Sequence, residues 1–341
     1  MNEHNGELAL KNRVVLGLSG GVDSAVAARL LQQRGLVVFG IYLDIGSDAS
    51  RRDAEAVAAN LGISLRIADV AAELEEKVCR PFVDAYLRGE TPNPCILCNP
   101  NVKFKVMLEY ADSIGAYYVS TGHYAKTVNG HLYKGRPDND QSYMLSGLRK
   151  EQVGRLVLPL GDFSKNEVRQ LASDFGLPVA DKPASMEICF IPDKDYGAYI
   201  ERRGTIPPEG DFVDESGRVL GRHKGIHRYT VGQRRGLNIA AGKRIFVSEI
   251  RPETNEVVLS EGGELFSETI KVRDMNWLVP QTESFEALVR VRHSRVSEPA
   301  EVIPDGKGAE VRFIKPVRAP TKGQTAAFYV GDEVVGGGFI V

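Results

Sequence analysis

The sequence predicts an α/β protein in which a doubly wound parallel sheet is followed by a small central domain and a C-terminal antiparallel β-barrel. Three observations predict this order. Short apolar runs alternate with amphipathic helical stretches from residue 12 to about 125, which is typical of repeated βα units. Glycine and proline then cluster at 204–217, as in a linker. From about residue 245, short alternating runs recur between turn residues, as in a small barrel.

Length and composition agree with several folded domains in one chain. With 341 residues, two or three domains are expected, and we place them at 1–203, 204–262 and 263–341. Hydrophobic residues make up 43% and the formal charge is −2, so the chain as a whole does not resemble a nucleic-acid-binding protein. Residues 1–11 are polar and predict no secretion signal, and no apolar run is long enough for a membrane span. We therefore expect a cytoplasmic protein without a membrane partner.

The spacing of apolar residues predicts the individual elements. In the first domain, strands are expected at 14–18, 37–43, 64–68 and 116–120, and helices from 22 and at 51–60, 73–86 and 103–114. Ser164 and Glu167 form a capping-box pattern that predicts a helix ending at Phe175. In the last third, strands are expected at 244–250, 256–259, 286–292, 309–314 and 324–330.

A glycine loop, Ser19-Gly20-Gly21-Val22-Asp23-Ser24, joins the first strand to the first helix. Two glycines allow a tight turn and a close approach of a ligand to the backbone. Unpaired N–H groups and the positive end of the helix dipole favour phosphate at such a position. No Gly-Lys-Ser/Thr follows, so the loop is not of the Walker type, and an ordinary glycine-rich βα turn is the alternative.

The loop resembles the PP-loop of the ATP pyrophosphatase superfamily, which has the adenine nucleotide α-hydrolase-like fold. Its members split ATP between the α and β phosphates and pass AMP to an acceptor. The resemblance implies that the Ser19 and Ser24 hydroxyls and the N–H groups of Gly20 and Gly21 hold the pyrophosphate. It also implies that Asp23 helps to hold Mg²⁺, a cation that prefers carboxylate and phosphate oxygens.

The cysteines suggest a second kind of chemistry. Cys95 and Cys98 form a Cys-x-x-Cys pair in a loop stiffened by Pro92 and Pro94, which indicates a redox, metal or catalytic role. A structural zinc site is the alternative, but zinc needs four ligands and the sequence has no second such pair. Cys189 lies among apolar residues, and taken alone it is more typical of a buried, inert thiol.

Together these segments resemble one family, the bacterial and mitochondrial tRNA-specific 2-thiouridylases. The matching stretches span most of the chain and lie at 17–24, 91–94, 97–99, 102–105, 121–124, 140–143, 187–191 and 229–237. The resemblance implies that ATP adenylates the C2 oxygen of the wobble uridine in the anticodon stem-loop of tRNA. It also implies that a persulfide on Cys189 supplies sulfur and that Cys98 completes the transfer or takes up a disulfide with Cys189. The sulfur would come from a cysteine desulfurase, a sulfur-relay protein or free sulfide.

The resemblance also assigns binding residues. The ATP contacts are Gly17, Leu18, Ser19, Gly20, Gly21, Val22, Asp23, Ser24, Leu43 and Gly122. The tRNA contacts are His123, Asp140, Gln141, Arg292, His293 and Gln324. A base that reacts at C2 must leave its stack, so the uridine is expected to be flipped into the pocket.

The chain departs from the family pattern at three places. Cys95 stands where many relatives carry aspartate, so Cys-x-x-Cys replaces Asp-x-x-Cys. Cys95, Cys98 and Cys189 therefore form a second candidate set, as ligands of a 4Fe-4S cluster with one iron open to sulfide. The segment 44–52 is shorter than usual, and Asn139 replaces a lysine that would contact phosphate.

A basic stretch predicts the RNA-binding side. Residues 216–248 contain no acid and eight basic side chains: Arg218, Arg222, Lys224, Arg228, Arg234, Arg235, Lys243 and Arg244. His223, His227 and Tyr229 lie among them, and Tyr229 is expected to be available for stacking on a base. We expect Arg234 and Arg235 to contact tRNA, with a second patch at Arg290, Arg292, His293 and Arg295.

Two other functions fit parts of the sequence. Another PP-loop AMP-forming ligase explains the glycine loop but neither the basic stretch nor the cysteines. A nucleotide-sensing RNA-binding protein with a cysteine-bound metal explains the stretch and the cysteines, but an intact Ser19–Ser24 loop argues against a protein without catalysis. ATP–pyrophosphate exchange that depends on tRNA distinguishes the three.

Overall fold

The computed structural model describes residues 12–183, 188–204, 206–240, 242–294 and 296–341. Residues 1–11, for which the sequence predicts no secretion signal, and Arg295 lie outside the described residues. The described chain forms two compact units. The first contains 12–78, 95–183 and 332–335, and the second contains the remaining residues. The predicted boundaries at 203 and 262 stay a prediction.

The first unit is built on a parallel sheet, as the sequence predicts. Its strands in chain order are β1 Arg13–Gly17, β2 Val37–Asp44, β3 Leu65–Asp69, β4 Tyr118–Ser120, β5 Ala125–Val128, β6 His131–Lys134 and β7 Leu156–Val157. The sheet has the order β3-β2-β1-β4-β7, and all its pairings are parallel. The β5–β6 hairpin, which the sequence analysis missed, lies apart from this sheet.

Helices follow most of these strands, and two further helices, Arg80–Leu87 and Tyr196–Glu201, belong to the second unit. The helices lie at Val22–Gln33, Asp48–Leu61, Ala71–Leu74, Arg80–Leu87, Pro94–Cys98, Phe104–Ser113, Lys150–Gly154, Lys165–Asp174 and Tyr196–Glu201. Wider π-helical turns occupy Glu75–Cys79 and Asn99–Lys103. The capping box is confirmed, because the Ser164 hydroxyl accepts the N–H of Glu167 and the Glu167 carboxylate accepts the N–H of Ser164. Gly62 ends the second helix in the left-handed conformation at φ 64°.

The core of the first unit lies between the sheet and its helices. Val14 and Leu16 of β1 are fully buried, as a central parallel strand requires. Val26 and Leu31 of the first helix pack against the same core. This packing fixes the end of β1 and the start of the helix, and therefore the position of the glycine loop between them.

The second unit contains two sheets. Strands β8 Gly210–Val213, β9 Val219–His223, β10 Phe246–Arg251 and β11 Glu256–Ser260 form a small sheet in the order β10-β11-β8-β9. Strands β12 Phe266–Trp277, β13 Phe285–Arg290, β14 Glu298–Asp305, β15 Gly308–Arg318, β16 Thr325–Val330 and β17 Glu333–Ile340 form the antiparallel barrel. Pairing of β12 with β17 closes the barrel.

The structure confirms the fold class and corrects the assignment of several segments. The stretch 204–217 was expected to be a linker, but it contains β8. The runs 244–250 and 256–259 were expected in the barrel, but they form β10 and β11 of the small sheet. Strands such as β12 were missed because only scattered residues, Ile270 and Val272 among them, are buried along their length. No described helix is both long and apolar enough to traverse a bilayer.

Candidate active site

The strand order of the first unit creates a crevice at the end of β1. The order reverses between β1 and β4, so the loops that follow these strands leave on opposite faces of the sheet. Residues 18–21 follow β1 and residues 121–123 follow β4. The loops touch, because a Cβ on Gly122 would lie 2.8 Å from the amide nitrogen of Ser24. The two predicted ATP-binding segments are therefore adjacent, and Leu43 lies near the same edge in β2.

Gly20 shapes the glycine loop. Its φ is +70°, and a Cβ there would lie 2.4 Å from the carbonyl oxygen of Ser50. Both its conformation and its surroundings therefore require glycine. The next residue, Gly21, is the N-cap of the first helix, and no side chain among the described residues caps that end. The first N–H groups of the helix can therefore bind an anion.

The two loop serines have different positions. Ser24 is buried, and its hydroxyl donates to the Gly21 carbonyl at 3.0 Å and accepts the N–H of Ser19 at 3.2 Å. Ser19 is exposed and lies 3.2 Å from the Ser24 hydroxyl. Ser24 therefore holds the loop together, while Ser19 presents a hydroxyl to a ligand. The side chains of Leu18 and Val22 are in the core, so only their backbone can contact one.

Asp23 is positioned by a tyrosine that the sequence analysis did not single out. The Tyr124 hydroxyl donates to Asp23 Oδ1 at 2.6 Å. Burial raises the pKa of Tyr124, and the adjacent carboxylate raises it further, so the hydroxyl remains a donor. The backbone N–H of Tyr124 donates in turn to Gln141 Oε1 at 3.0 Å. Among the described residues, the Tyr124 hydroxyl is the side-chain partner of Asp23, at Oδ1.

His123 lies in the loop after β4. Its Nδ1 is 2.6 Å from the Thr121 hydroxyl, and its ring stacks on Phe104 at 6.4 Å between centroids. Burial and the nearby charge of Lys103 lower the pKa of His123 well below its ordinary value. The imidazole is therefore neutral at neutral pH, and it can donate or accept a hydrogen bond without bringing a charge.

Cys95 and Cys98 lie on the helix Pro94–Cys98. Cys95 is exposed and Cys98 is partly exposed. The π-helical turn after Cys98 is held by Asn99, whose side-chain amide donates to the Met144 carbonyl at 2.7 Å. Such wide turns often occur at functional sites. Gly147 packs closely on the middle of the same helix, because a Cβ there would lie 3.0 Å from the Ile96 carbonyl oxygen.

Cys189 belongs to the second unit, and it is exposed. The expectation from its apolar neighbours alone, a buried thiol, is wrong. The neighbours Ile188 and Phe190 carry the packing instead, since they lie against a cluster that includes Phe82 and Tyr199. They anchor the turn and leave the cysteine side chain at the surface. The buried thiol of the chain is Cys79.

The described residues give the 4Fe-4S cluster no support. They contain no group of three or more His, Cys, Asp or Glu side chains arranged to hold a metal. Cys95 and Cys98 belong to the first unit, and Cys189 belongs to the second.

Three family models match consecutive parts of the chain. The tRNA methyl transferase HUP domain matches residues 12–193, the tRNA methyl transferase PRC-barrel domain matches 198–261, and the aminomethyltransferase beta-barrel domain matches 267–340. The tRNA-specific 2-thiouridylase MnmA of Carboxydothermus hydrogenoformans is 43% identical, over 97% of this chain and 98% of that protein. The chain belongs to the tRNA-specific 2-thiouridylase family. The MnmA protein of Clostridium acetobutylicum is 40% identical over 97% of this chain and all of its own length.

A solved structure of NMN synthetase from Francisella tularensis resembles part of this 2-thiouridylase-family chain. It is 21% identical and covers 52% of this chain and 68% of its own, with a TM-score of 0.37. So low a score carries no functional argument.

Several residues that were predicted to contact tRNA form hydrogen bonds within the protein. Asp140 accepts the N–H groups of Gly135 at 2.8 Å and Ser142 at 3.1 Å. Gln141 holds Tyr124, as described above. The Gln324 side-chain amide donates to the Thr91 carbonyl at 2.6 Å. These side chains hold loops in place, and their contact with RNA stays a prediction.

The second predicted patch is only partly at the surface. Arg290 is 5% exposed and lies over the Tyr329 ring, so its inclusion in the patch is wrong. Arg292 donates to the Arg318 carbonyl, and His293 is exposed.

The basic stretch 216–248 is smaller than it looked from the sequence. Four of its eight basic side chains pair with acids outside the stretch: Arg218 with Asp214, Arg222 with Asp211, Arg228 with Glu201 and Lys243 with Glu261. The other four are exposed and have no acidic partner in the described parts of the chain: Lys224, Arg234, Arg235 and Arg244. Their charge is the part that remains available to a phosphate backbone.

The aromatic residues of the stretch do not stack on RNA in this conformation. His223, His227 and Tyr229 are at most 7% exposed. His223 Nδ1 accepts the N–H of Gly225 at 3.1 Å, so its Nε2 carries the proton and donates to the Asn255 carbonyl at 3.1 Å. The predicted stacking role of Tyr229 is therefore wrong, because its ring packs on Phe212 and His223 in the core of the small sheet.

Proposed function

We propose that this chain converts the wobble uridine of tRNA to 2-thiouridine in an ATP-dependent reaction. The observation that carries the proposal is the glycine loop at the crevice between β1 and β4, in a chain that shares 43% identity with a tRNA-specific 2-thiouridylase. The loop supplies backbone N–H groups and the Ser19 hydroxyl for the pyrophosphate part of ATP. Asp23 fits Mg²⁺, because one of its oxygens is held by Tyr124 and the other is left for the ion, which typically takes one or two carboxylates and phosphate oxygens. Bound Mg²⁺ neutralises phosphate charge.

The proposed reaction has two stages. The C2 oxygen of uridine attacks the α phosphorus and pyrophosphate leaves, which turns a poor leaving group into AMP. The terminal sulfur of a persulfide on Cys189 then attacks C2, and AMP departs with the oxygen. Cys98 completes the transfer by attacking the Cys189 sulfur, which leaves the outer sulfur on the base and a disulfide that a thiol reductant must reduce. The surface position of Cys189 supports its role, because a sulfur donor must reach it.

The experiment is nucleoside mass spectrometry of tRNA after incubation with the protein, ATP, Mg²⁺, a thiol reductant and a donor of persulfide sulfur, such as a cysteine desulfurase with cysteine. We expect 2-thiouridine with the wild type and none with Cys189→Ser, while ATP and tRNA binding persist. Cys79→Ala is the matched control, because that thiol is buried. ATP–pyrophosphate exchange without tRNA, and no thiolation, would instead indicate another AMP-forming ligase. Nucleotide and RNA binding without any turnover would indicate a non-catalytic sensor.

The 4Fe-4S route is the alternative for the sulfur step. Anaerobic purification followed by iron and sulfide analysis distinguishes the two routes. An iron-free protein that still thiolates tRNA excludes the cluster, whereas iron-dependent thiolation would overturn the persulfide.

We further propose that the chain divides functionally at 203 and 262, and that the central part and the barrel bind tRNA. We also propose that the protein acts in the cytoplasm. Arg234 and Arg235 support the tRNA-binding role, because they are exposed and have no acidic partner among the described residues. The sulfur donor is tested by supplying each candidate in the same assay. A desulfurase or a relay protein can deliver sulfur at the oxidation level of a persulfide. Free sulfide would need an oxidant to form one, so thiolation with sulfide alone would favour the 4Fe-4S route.

A further inference from the structure

Lys182 reaches the glycine loop from a part of the sequence that shows no recognisable motif. Its ammonium group donates to the Gly20 carbonyl oxygen at 3.0 Å and pairs with the Asp53 carboxylate. Asp53 lies on the helix Asp48–Leu61, whose first turns form the wall behind Gly20. One cation therefore ties the loop backbone to that helix.

This contact controls which way a peptide group faces. In a planar trans peptide the C=O and the N–H point in opposite directions. A Gly20 carbonyl held toward Lys182 therefore directs the Gly21 N–H to the other side. A peptide between two glycines has little steric resistance to flipping. If it flipped, the loop would present a carbonyl oxygen, not an N–H group, to a phosphate, and the two would repel each other.

We propose that Lys182 and Asp53 are positioning residues that hold the Gly20–Gly21 peptide in the orientation that binds the phosphates of ATP. The proposal rests on the proposed ATP-dependent function. Lys182 could instead bind phosphate directly, and the effect of removing Asp53 distinguishes these two roles. If Lys182 bound phosphate itself, removing the Asp53 charge would leave ATP binding unchanged or make it tighter. If the pair positions the peptide, losing Asp53 weakens ATP binding as losing Lys182 does.

The test is calorimetric measurement of ATP binding to the full chain. We expect Lys182→Met and Asp53→Ala each to raise the Kd about tenfold, which is typical of losing a charge-assisted hydrogen bond. The double variant is expected to bind no more weakly than Lys182→Met, because both changes break one unit. Lys182→Arg, which retains the charge and N–H donors, is expected to restore part of the affinity.

The control is Glu55→Ala on the same helix, because Glu55 is exposed and pairs with Arg51, away from the loop. The melting temperature without ATP is expected to be similar in all variants, since the Lys182–Asp53 pair is more than one-third exposed. Unchanged or tighter ATP binding by Asp53→Ala, or additive losses in the double variant, would overturn the positioning role. Absence of ATP binding by the wild type would instead overturn the proposed function.

Discussion

Replacing Gly20 by alanine tests whether the glycine loop depends on both its conformation and its packing. A residue with a Cβ pays roughly 1–2 kcal/mol in the left-handed region, where Gly20 lies at φ +70°. The added Cβ would also lie 2.4 Å from the Ser50 carbonyl oxygen and 2.8 Å from Asp53 Cβ. Such overpacking typically costs about 1–3 kcal/mol. The total of about 2–5 kcal/mol must appear in folding, in ATP binding or in both.

Gly35→Ala is the matched control, because Gly35 has φ +81° and nothing within 4 Å of the added Cβ. It has the conformational cost without the clash. Urea unfolding and calorimetric ATP binding measure the two contributions. We add the loss in free energy of unfolding to the loss in free energy of ATP binding, and we expect this sum to be about 1–3 kcal/mol larger for Gly20→Ala than for Gly35→Ala. Equal losses in the two variants would show that the wall behind Gly20 does not constrain the loop.

Three further predictions concern the rest of the site. Tyr124→Phe removes the hydroxyl that positions the Asp23 carboxylate. The Mg²⁺ concentration needed for half-maximal ATP–pyrophosphate exchange should therefore rise about tenfold. An unchanged Mg²⁺ requirement would contradict this role. Replacing Arg234 and Arg235 by alanine should weaken tRNA binding and reduce the slope of log binding constant against log salt concentration by about two. Arg218→Ala should change this slope less, because Arg218 is already paired with Asp214. The folded pKa of His123 is lowered, so the unfolded chain takes up a proton at this residue more readily than the folded chain as the pH falls through about 6.5. The free energy of unfolding measured in urea should therefore fall between pH 7.5 and 5.5, by at most about 1.4 kcal/mol from this group. A loss that persists undiminished in His123→Gln would refute this.

Local chemistry explains what could be predicted from the sequence. The glycine loop was found at the end of β1 because strand, turn and helix are encoded by neighbouring residues. The capping box at Ser164 was predicted for the same reason. In each case the groups that interact are a few positions apart, so their spacing carries the information.

Long-range packing explains what could not be predicted. Arg222, Arg228 and Lys243 pair with acids that lie 11 or more positions away in the sequence, and no local pattern shows such pairing. Cys189 is at the surface while its partly buried neighbours Ile188 and Phe190 pack against a core cluster, which hydrophobicity alone does not reveal. β10 and β11 look like barrel strands in sequence, yet partner choice places them in another sheet.

The amino-acid order by itself therefore determined the α/β class, the family and the position of the glycine loop between β1 and the first helix. Tertiary structure decided which charges stay available, which thiol is exposed, and that Lys182 and Asp53 set the direction of one peptide group. The physical reason is distance along the chain: 129 positions separate those two residues, and only folding brings their charges together.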